Sequence, residues 1–338
     1  MNIFYAVDDK YVPQLGAAIC SVCENNKSID SIHIYVGTKE VTSENQLLIT
    51  KLVEGYDRQI TIIQIDNIKE QIGFEFNTTA WNEVTLVRLL LDKILPENVG
   101  RLLYLDADTI VLGSLQDLWD TDMQGKAIGA SIEPTANHQR KKRLGLDGEP
   151  YYNSGVLLID MERWRKDNIR TRIFEYYKTH EDIILAPDQD SINGALAGEI
   201  FSISPRYNYF NVFWYYPYKT LVKIYKPACW PFSKEQHQSV ATDPCIIHYL
   251  GEDRPWRKGN THRYSGQYQQ YLSMTPWKDT PLKEGWSVYF KFYGAYWRVL
   301  KSFPMLQYRV MDKLIPLVLK YREKRRFKEQ CVQKNEQS

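Results

Sequence analysis

Two carboxylates, Asp106 and Asp108, close the segment Arg101-Leu-Leu-Tyr-Leu-Asp106-Ala107-Asp108-Thr109. The apolar run before them has the character of a buried strand, and a strand's period of two sends both side chains to one side. Such a pair at a strand's end can hold a hard divalent cation, which in turn can hold phosphate oxygens. The same letters also fit a solvated acidic turn. A second candidate is the C-x-x-C spacing of Cys20 and Cys23. It has no second pair and falls inside a helical pattern, so it reads as buried, incidental thiols rather than a redox couple. Cys229, Cys245 and Cys331 complete an odd, sparse set that makes no disulfide framework.

Residues 3–7 (IFYAV) read as a buried strand ending at Asp8 and Asp9, followed by a helical pattern through Leu15, Ala18, Ile19 and Val22. Strands at 31–36, 61–65 and 101–105 alternate with helices at 43–54 and 84–95, the latter closed by Pro96. That alternation predicts an α/β protein with a mostly parallel, doubly wound sheet flanked by helices. In such sheets ligands bind outside the carboxyl ends of the strands, where Asp8, Asp106 and Asp108 fall. Further strands are expected at 127–132, 156–160 and 245–247, and helices at 163–180 and 188–196. The basic stretch 138–143 (HQRKKR) reads as a mobile loop able to fold over a bound ligand.

The 338 residues are 43% hydrophobic and 25% charged, ordinary for a globular protein, and the net charge is +2. That balance argues against nucleic-acid binding by the whole chain, and no apolar run approaches the ~20 residues of a membrane span. The N-terminus turns acidic without a basic stretch, so it does not read as a signal peptide, and a reducing, cytoplasmic setting is expected. The C-terminus differs in composition. Residues 289–338 carry twelve Lys or Arg against four Asp or Glu, and Trp286, Tyr289, Phe290, Phe292, Tyr293, Tyr296 and Trp297 crowd one window. This suits a helix lying on an anionic membrane surface; a helical pair packed on the core also fits. Pro316 is expected to kink or end its helix.

Two families compete for the aspartate segment. LYLDADTI nearly fits the first motif of haloacid-dehalogenase-like phosphatases, but Thr109 and Ile110 depart from it and three strands precede it. The other resemblance covers residues 1 to about 260. AVDDKY at 6–11, Arg88, YLDADT at 104–109, YNSGVLLID at 152–160, PDQD at 187–190 and HYLGEDRPW at 248–256 follow one another in the order seen in retaining glycosyltransferases of family 8. That group contains the bacterial lipooligosaccharide galactosyltransferases and glycogenin.

The resemblance implies a GT-A fold with one Rossmann-like sheet, a catalytic domain at 1–260 and a helical, membrane-associating region at 261–338. It implies a donor site of Ala6, Val7, Asp8, Tyr11, Arg88, Asp106, Ala107, Asp108, Asn153, Ser154, Asp188, Gln189, His248, Gly251 and Arg254. Within it, Asp8 accepts from uracil, Tyr11 stacks on it, and Arg88, Asn153 and Asp188 grip sugar hydroxyls. Asp106, Asp108 and His248 would ligate one divalent ion, manganese before magnesium because of the imidazole. Arg254 stands where the family usually has Lys and faces the diphosphate, with Gly251 letting backbone approach it. The catalytic set is Gln189, Asp188 and Arg254. Gln189 is a carboxamide and a poor nucleophile, so the implied route is a front-face displacement in which it stabilises an oxocarbenium-like centre. Glu133 replaces an acceptor-contacting Asp, and Lys10 an Asn. The implied partners are UDP-galactose or UDP-glucose and a lipid- or glycan-linked acceptor at the inner face of the cytoplasmic membrane. A phosphohydrolase, or a non-catalytic nucleotide-sugar or glycan-binding protein, is the alternative.

Overall fold

The computed structural model describes residues 1–78, 81–226 and 230–336, the side chains of 322, 323 and 325–336 excepted. Cys229 lies outside the described residues, as do the side chains of Cys331 and of most of the basic run 320–328.

Among the described residues nine strands form: β1 (Asn2–Asp8), β2 (His33–Lys39), β3 (Gln59–Gln64), β4 (Arg101–Leu105), β5 (Thr109–Val111), β6 (Ile128–Ile132), β7 (Tyr152–Asp160), β8 (Ile200–Ser202) and β9 (Ile246–His248). Seven make one sheet in the order β3-β2-β1-β4-β7-β6-β8, and β5 pairs with β9 in a separate ribbon. The sheet is parallel except at β7, which runs antiparallel to both neighbours. Chain order reverses between β1 and β4, so a crevice opens beyond their carboxyl ends.

The strands are near-continuous apolar runs because helices cover both faces. Phe4 and Ala6 join Tyr35, Leu102, Tyr104 and Leu157 in one apolar layer. Ile3, Tyr5 and Val7 join Ile34, Leu103, Leu105, Val156 and Leu158 in the other. Helix Val12–Asn25 buries Cys23 in the second layer and Cys20 in the first, neither in a disulfide. Burial pushes the Cys23 thiol up to about 12, so it stays protonated and unreactive.

Three local expectations are corrected. The stretch 84–95 is a 3-10 helix, Glu83–Leu89, followed by one turn of α-helix, Leu91–Ile94. Val84, Leu86, Val87, Leu89, Leu90 and Leu91 are all buried, so no polar face exists, and β-branched residues crowd an α-helix. The stretch 163–180 breaks into Met161–Lys166 and Ile169–His180 at Asn168, whose φ of +50° asparagine tolerates. The basic stretch is a helix, His138–Arg143, capped by Asn137. It is no free loop: Lys141 is fully buried, donating to the Tyr225 carbonyl at 3.1 Å with its ammonium 4.0 Å from that ring's centre. Helix Pro304–Glu336 continues through Pro316, so of the two outcomes expected for this proline it does not end the helix. Pro316 removes the donor to the Asp312 carbonyl, and Asp312 is exposed, so water can replace it.

Two C-terminal helices, Ser287–Leu300 and Pro304–Glu336, pack by one face only. Trp297 lies 4.1 Å from Tyr215 between ring centres and Tyr308 is buried against Tyr216. Val288, Phe292 and Val299 form an exposed stripe on the first helix. Among the described residues no helix is long and apolar enough to cross a membrane.

The segment after β9 contains His262, buried among Tyr249, Trp214 and Tyr264. Burial holds its pKa down to about 3, from an ordinary 6.5. The unfolded chain therefore takes a proton that the fold refuses. Stability from the neutral ring is complete above pH 6.5 and falls progressively below it, by about 2 kcal/mol at pH 5. His262→Gln should flatten the stability-versus-pH slope between pH 6.5 and 4, read from urea denaturation at a series of pH values.

Candidate active site

The crevice at the reversal point gathers residues from several elements. Asp106 follows β4 directly, and its N–H donates to the Gly155 carbonyl of β7 at 2.8 Å. The chain then turns, and β5 pairs with β9 so that Thr109 lies opposite His248. The Tyr249 N–H reaches the Asp108 carbonyl at 2.9 Å. The ribbon thereby carries a histidine remote in sequence onto the aspartate turn. His248 Nε2 lies 3.2 Å from Asp108 Oδ1 and 3.7 Å from Asp106 Oδ2.

Close approach here depends on Gly155. A Cβ at that position would sit 2.2 Å from His248 Cε1 and 2.7 Å from Asp106 Oδ2, so any side chain would fill the space the three groups face.

A buried amide chain orients the imidazole. The Gly155 N–H donates to Asn153 Oδ1 at 2.9 Å, and Asn208 Nδ2 donates to the same oxygen at 2.9 Å. That leaves Asn208 Oδ1 to face His248 Nδ1 at 2.9 Å. Nδ1 therefore carries the proton, and Nε2 presents its lone pair to the carboxylates. Nε2 is buried and has no hydrogen-bonding partner among the described residues.

The donor set of two carboxylates and one imidazole fits a divalent cation, and the orphaned Nε2 is the observation that favours one. The three ligand atoms lie within 4.8 Å of one another. Burial raises the Asp106 carboxyl above its usual range, against the Arg88 guanidinium beside it. For Asp108 burial also pushes upward, and the Arg254 guanidinium beside it pulls the other way. Asn208→Leu should free the imidazole to take the wrong tautomer. We expect manganese affinity to fall about 10- to 100-fold, measured by calorimetry on the folded variant.

On the β1 side, Asp8 makes no helix-capping bond. Its Oδ2 accepts from Asn82 Nδ2 at 2.6 Å, while Oδ1 is buried without a partner among the described residues. Neighbouring Asp9 is structural, accepting from Thr42 and from Asn45 at 2.8 Å. Ala6 and Val7 are buried strand residues, Ala107 is buried in the aspartate turn, and Lys10 is exposed. Tyr11 packs edge-on against Trp256 and accepts from Arg254 Nη1 at 2.5 Å. Arg254 also lies 3.4 Å from Asp108 Oδ2 and donates from Nε to the Gly251 carbonyl at 2.8 Å. Gly251 has φ +80°, a backbone that a Cβ would strain.

On the β7 side, Arg88 is 2% exposed and binds Asp106 Oδ1 at 2.7 Å, Asp188 Oδ2 at 3.1 Å and the Ser154 carbonyl. Asp92, one turn further along, pairs instead with Arg170 at 3.0 Å. Ser154 Oγ donates to Asp188 at 2.9 Å. Gln189 is clamped, its Oε1 accepting from the Ser154 N–H at 3.1 Å and its Nε2 donating to Tyr151 Oη at 3.0 Å. Asn153 Nδ2 donates to Glu133 Oε2 at 3.2 Å, so Glu133, Asn153, Asn208 and His248 form one hydrogen-bonded line.

The family model for glycosyl transferase family 8 matches residues 2–260. The chain belongs to family 8. As a family 8 glycosyltransferase it is 27% identical to the lipopolysaccharide 1,2-glucosyltransferase of Escherichia coli strain K12, over 85% of this chain and 82% of that one. It is 26% identical to general stress protein A of Bacillus subtilis, over 82% of this chain and 94% of that one. The crystal structure of the galactosyltransferase LgtC in complex with donor and acceptor sugar analogues superposes with a TM-score of 0.69 at 26% identity, covering 85% of this chain and 99% of that one. The fold is GT-A, as expected, and membership sets the phosphohydrolase reading aside.

Sequence reasoning about this family 8 chain missed Asn208, Gly155, Tyr104 and Lys283. Tyr104 Oη donates to Asp106 at 3.2 Å, and the Lys283 ammonium lies 5.3 Å from the Tyr11 ring centre. Alternation placed Tyr104 on a strand but gave its hydroxyl no target, and Lys283 lies beyond the matched region.

Proposed function

We propose that this glycosyltransferase moves galactose or glucose from a UDP-sugar to a hydroxyl of a lipid- or glycan-linked acceptor, with retention at the anomeric carbon. The carrying observation is the orphaned His248 Nε2 aimed between Asp106 and Asp108, with Arg254 beside them. Asp106, Asp108 and His248 would hold manganese or magnesium, which supplies positive charge to the donor diphosphate. Asp8 Oδ1 receives the uracil N–H and Tyr11 offers its ring to the base, with Ala6 and Val7 lining that end. Gly251 gives the phosphates close access to backbone. Arg254 exchanges Tyr11 and Asp108 for the departing diphosphate, where its charge stabilises the leaving group. Arg88, Asn153, Ser154 and Asp188 hold the sugar, and Ala107 lies between the two aspartates. The acceptor oxygen bonds to the anomeric carbon as the bond to the diphosphate oxygen breaks. The electron pair leaves with UDP, and the acceptor's proton passes to that departing oxygen. Gln189 Oε1, held by Ser154, stabilises the positive charge that develops between the two events. Glu133 faces the acceptor.

Residues 1–260 form the catalytic unit in this reading, and 261–338 bring it to the inner face of the cytoplasmic membrane. The exposed stripe of Val288, Phe292 and Val299, with Lys291 and Arg298 alongside, supports that assignment. The names of the lipopolysaccharide-directed relatives support surface glycan synthesis. The test is UDP release from a panel of UDP-sugars, with and without manganese. Slow, manganese-dependent hydrolysis of UDP-galactose or UDP-glucose supports the reading; binding of both without turnover, whatever acceptor is added, favours a binding protein. In the same preparation, Phe292→Glu with Val299→Glu should abolish flotation with phosphatidylglycerol vesicles while hydrolysis persists.

A further inference from the structure

The helix Pro304–Glu336 touches the acceptor side of the crevice through two residues one turn apart. Tyr308 is 7% exposed, and its hydroxyl lies 3.2 Å from both the Thr135 carbonyl and Asp312 Oδ1. Asp312 Oδ1 accepts from Asn137 Nδ2 at 2.8 Å. The segment held in this way, 133–137, begins with Glu133.

Two lines of bonds run inward from that contact. In the first, Thr135 Oγ1 donates to Glu133 Oε1 at 2.7 Å, so the residue whose carbonyl meets Tyr308 also fixes the carboxylate. In the second, Asn137 turns its other end to the helix His138–Arg143, Oδ1 accepting from the Arg140 N–H at 2.9 Å. Arg140 Nη2 then binds the fully buried Asp190 at 2.7 Å and Tyr151 Oη at 3.1 Å. Tyr151 donates to Asp190 at 2.5 Å and accepts from Gln189 at 3.0 Å. Both lines start on the C-terminal helix and end on Glu133 and Gln189. Neither passes through Asp8, Tyr11 or Arg254.

We infer that Tyr308 and Asp312 are positioning residues for the acceptor half of the site, so the C-terminal helix completes that half rather than serving as a separable anchor. Both residues lie beyond the family-matched residues 2–260. A lipid-linked acceptor would then meet Glu133 beside the same helix pair that carries the exposed apolar stripe. The inference rests on the proposed reading of Glu133 as acceptor-facing.

The test compares full-length wild type with Tyr308→Phe/Asp312→Ala, Asp312→Asn and Glu133→Gln, using the donor hydrolysed fastest and octyl β-galactoside or octyl β-glucoside as acceptor. Hydrogen exchange over 133–143 is followed in parallel. For the double variant we expect faster exchange over that segment and acceptor KM raised about tenfold, with donor KM unchanged. Asp312→Asn keeps the oxygen that Asn137 needs and should restore most of the loss. Unchanged exchange, or donor and acceptor parameters falling together, overturns the inference. If Glu133→Gln raises acceptor KM and the double variant does not, the inference alone fails; if Glu133→Gln changes nothing, the acceptor reading beneath it fails as well.

Discussion

Asp108→Asn should lower sugar transfer on the order of a thousandfold while leaving the fold intact. The substitution keeps the shape of a side chain that lies between His248 Nε2 at 3.2 Å and Arg254 Nη1 at 3.4 Å. What it removes is a negative charge. The three-residue site loses one of its two anionic ligands, and Arg254 loses the partner that sets its resting position. Stability should move little. Neutralising Asp108 relieves its repulsion of Asp106 but gives up the attraction of the Arg254 guanidinium 3.4 Å away. The expected melting temperature without cation is therefore close to wild type. The rise that wild type shows on adding manganese and UDP, which follows from binding to the folded state, should vanish in the variant. Retained activity with a retained manganese-dependent rise would remove Asp108 from the site.

Arg88→Leu should be the most destabilising single change in the crevice. The guanidinium is 2% exposed and holds Asp106 at 2.7 Å, Asp188 at 3.1 Å and the Ser154 carbonyl, with the Tyr104 ring centre 4.6 Å away. Leucine leaves two carboxylates without their shared cation, a loss of about 3–5 kcal/mol. That is a large part of a typical stability and corresponds to a fall in Tm of about 4–7 °C for a chain of 338 residues. Arg88→Lys offers one point charge for a forked set of acceptors and should recover only part. The pH dependence has a defined sign. Asp106 is already raised by burial, and removing Arg88 raises it further. A carboxyl raised in the fold costs stability when ionised, so the deficit against wild type is full at neutral pH. It shrinks as pH falls toward the unfolded value of about 3.9. Thermal melts at pH 7.5 and 4.5 check both magnitude and sign.

Much of this site was readable from one-dimensional information because its parts sit where strands end. β1 and β4 are apolar runs terminated by acids, so alternation alone put Asp8, Asp106 and Asp108 at carboxyl ends, and β4 was placed at its observed bounds. His248 needed the ordered motifs of a family, since nothing local to it reports the β5–β9 pairing. Residues that act through others left no signal. Asn208 stands among aromatics in Pro205-Arg206-Tyr207-Asn208-Tyr209, and only the three-dimensional amide chain reveals its task. The run His138–Arg143 failed for a related reason. Charge density reads as solvation, whereas Arg140 and Lys141 each find a buried partner from a segment far along the chain. The C-terminal helices were legible as amphipathic, but composition could not say that one face packs and another stays open.

The central claim is that Asp106, Asp108 and His248 carry the donor's diphosphate through a divalent cation. The direct measurement is the affinity of UDP for the full-length protein by calorimetry, in manganese and again in excess chelator. The account predicts binding that is tight with manganese, weak without it, and insensitive to manganese in Asp108→Asn. Equal UDP affinity with and without the cation would contradict it.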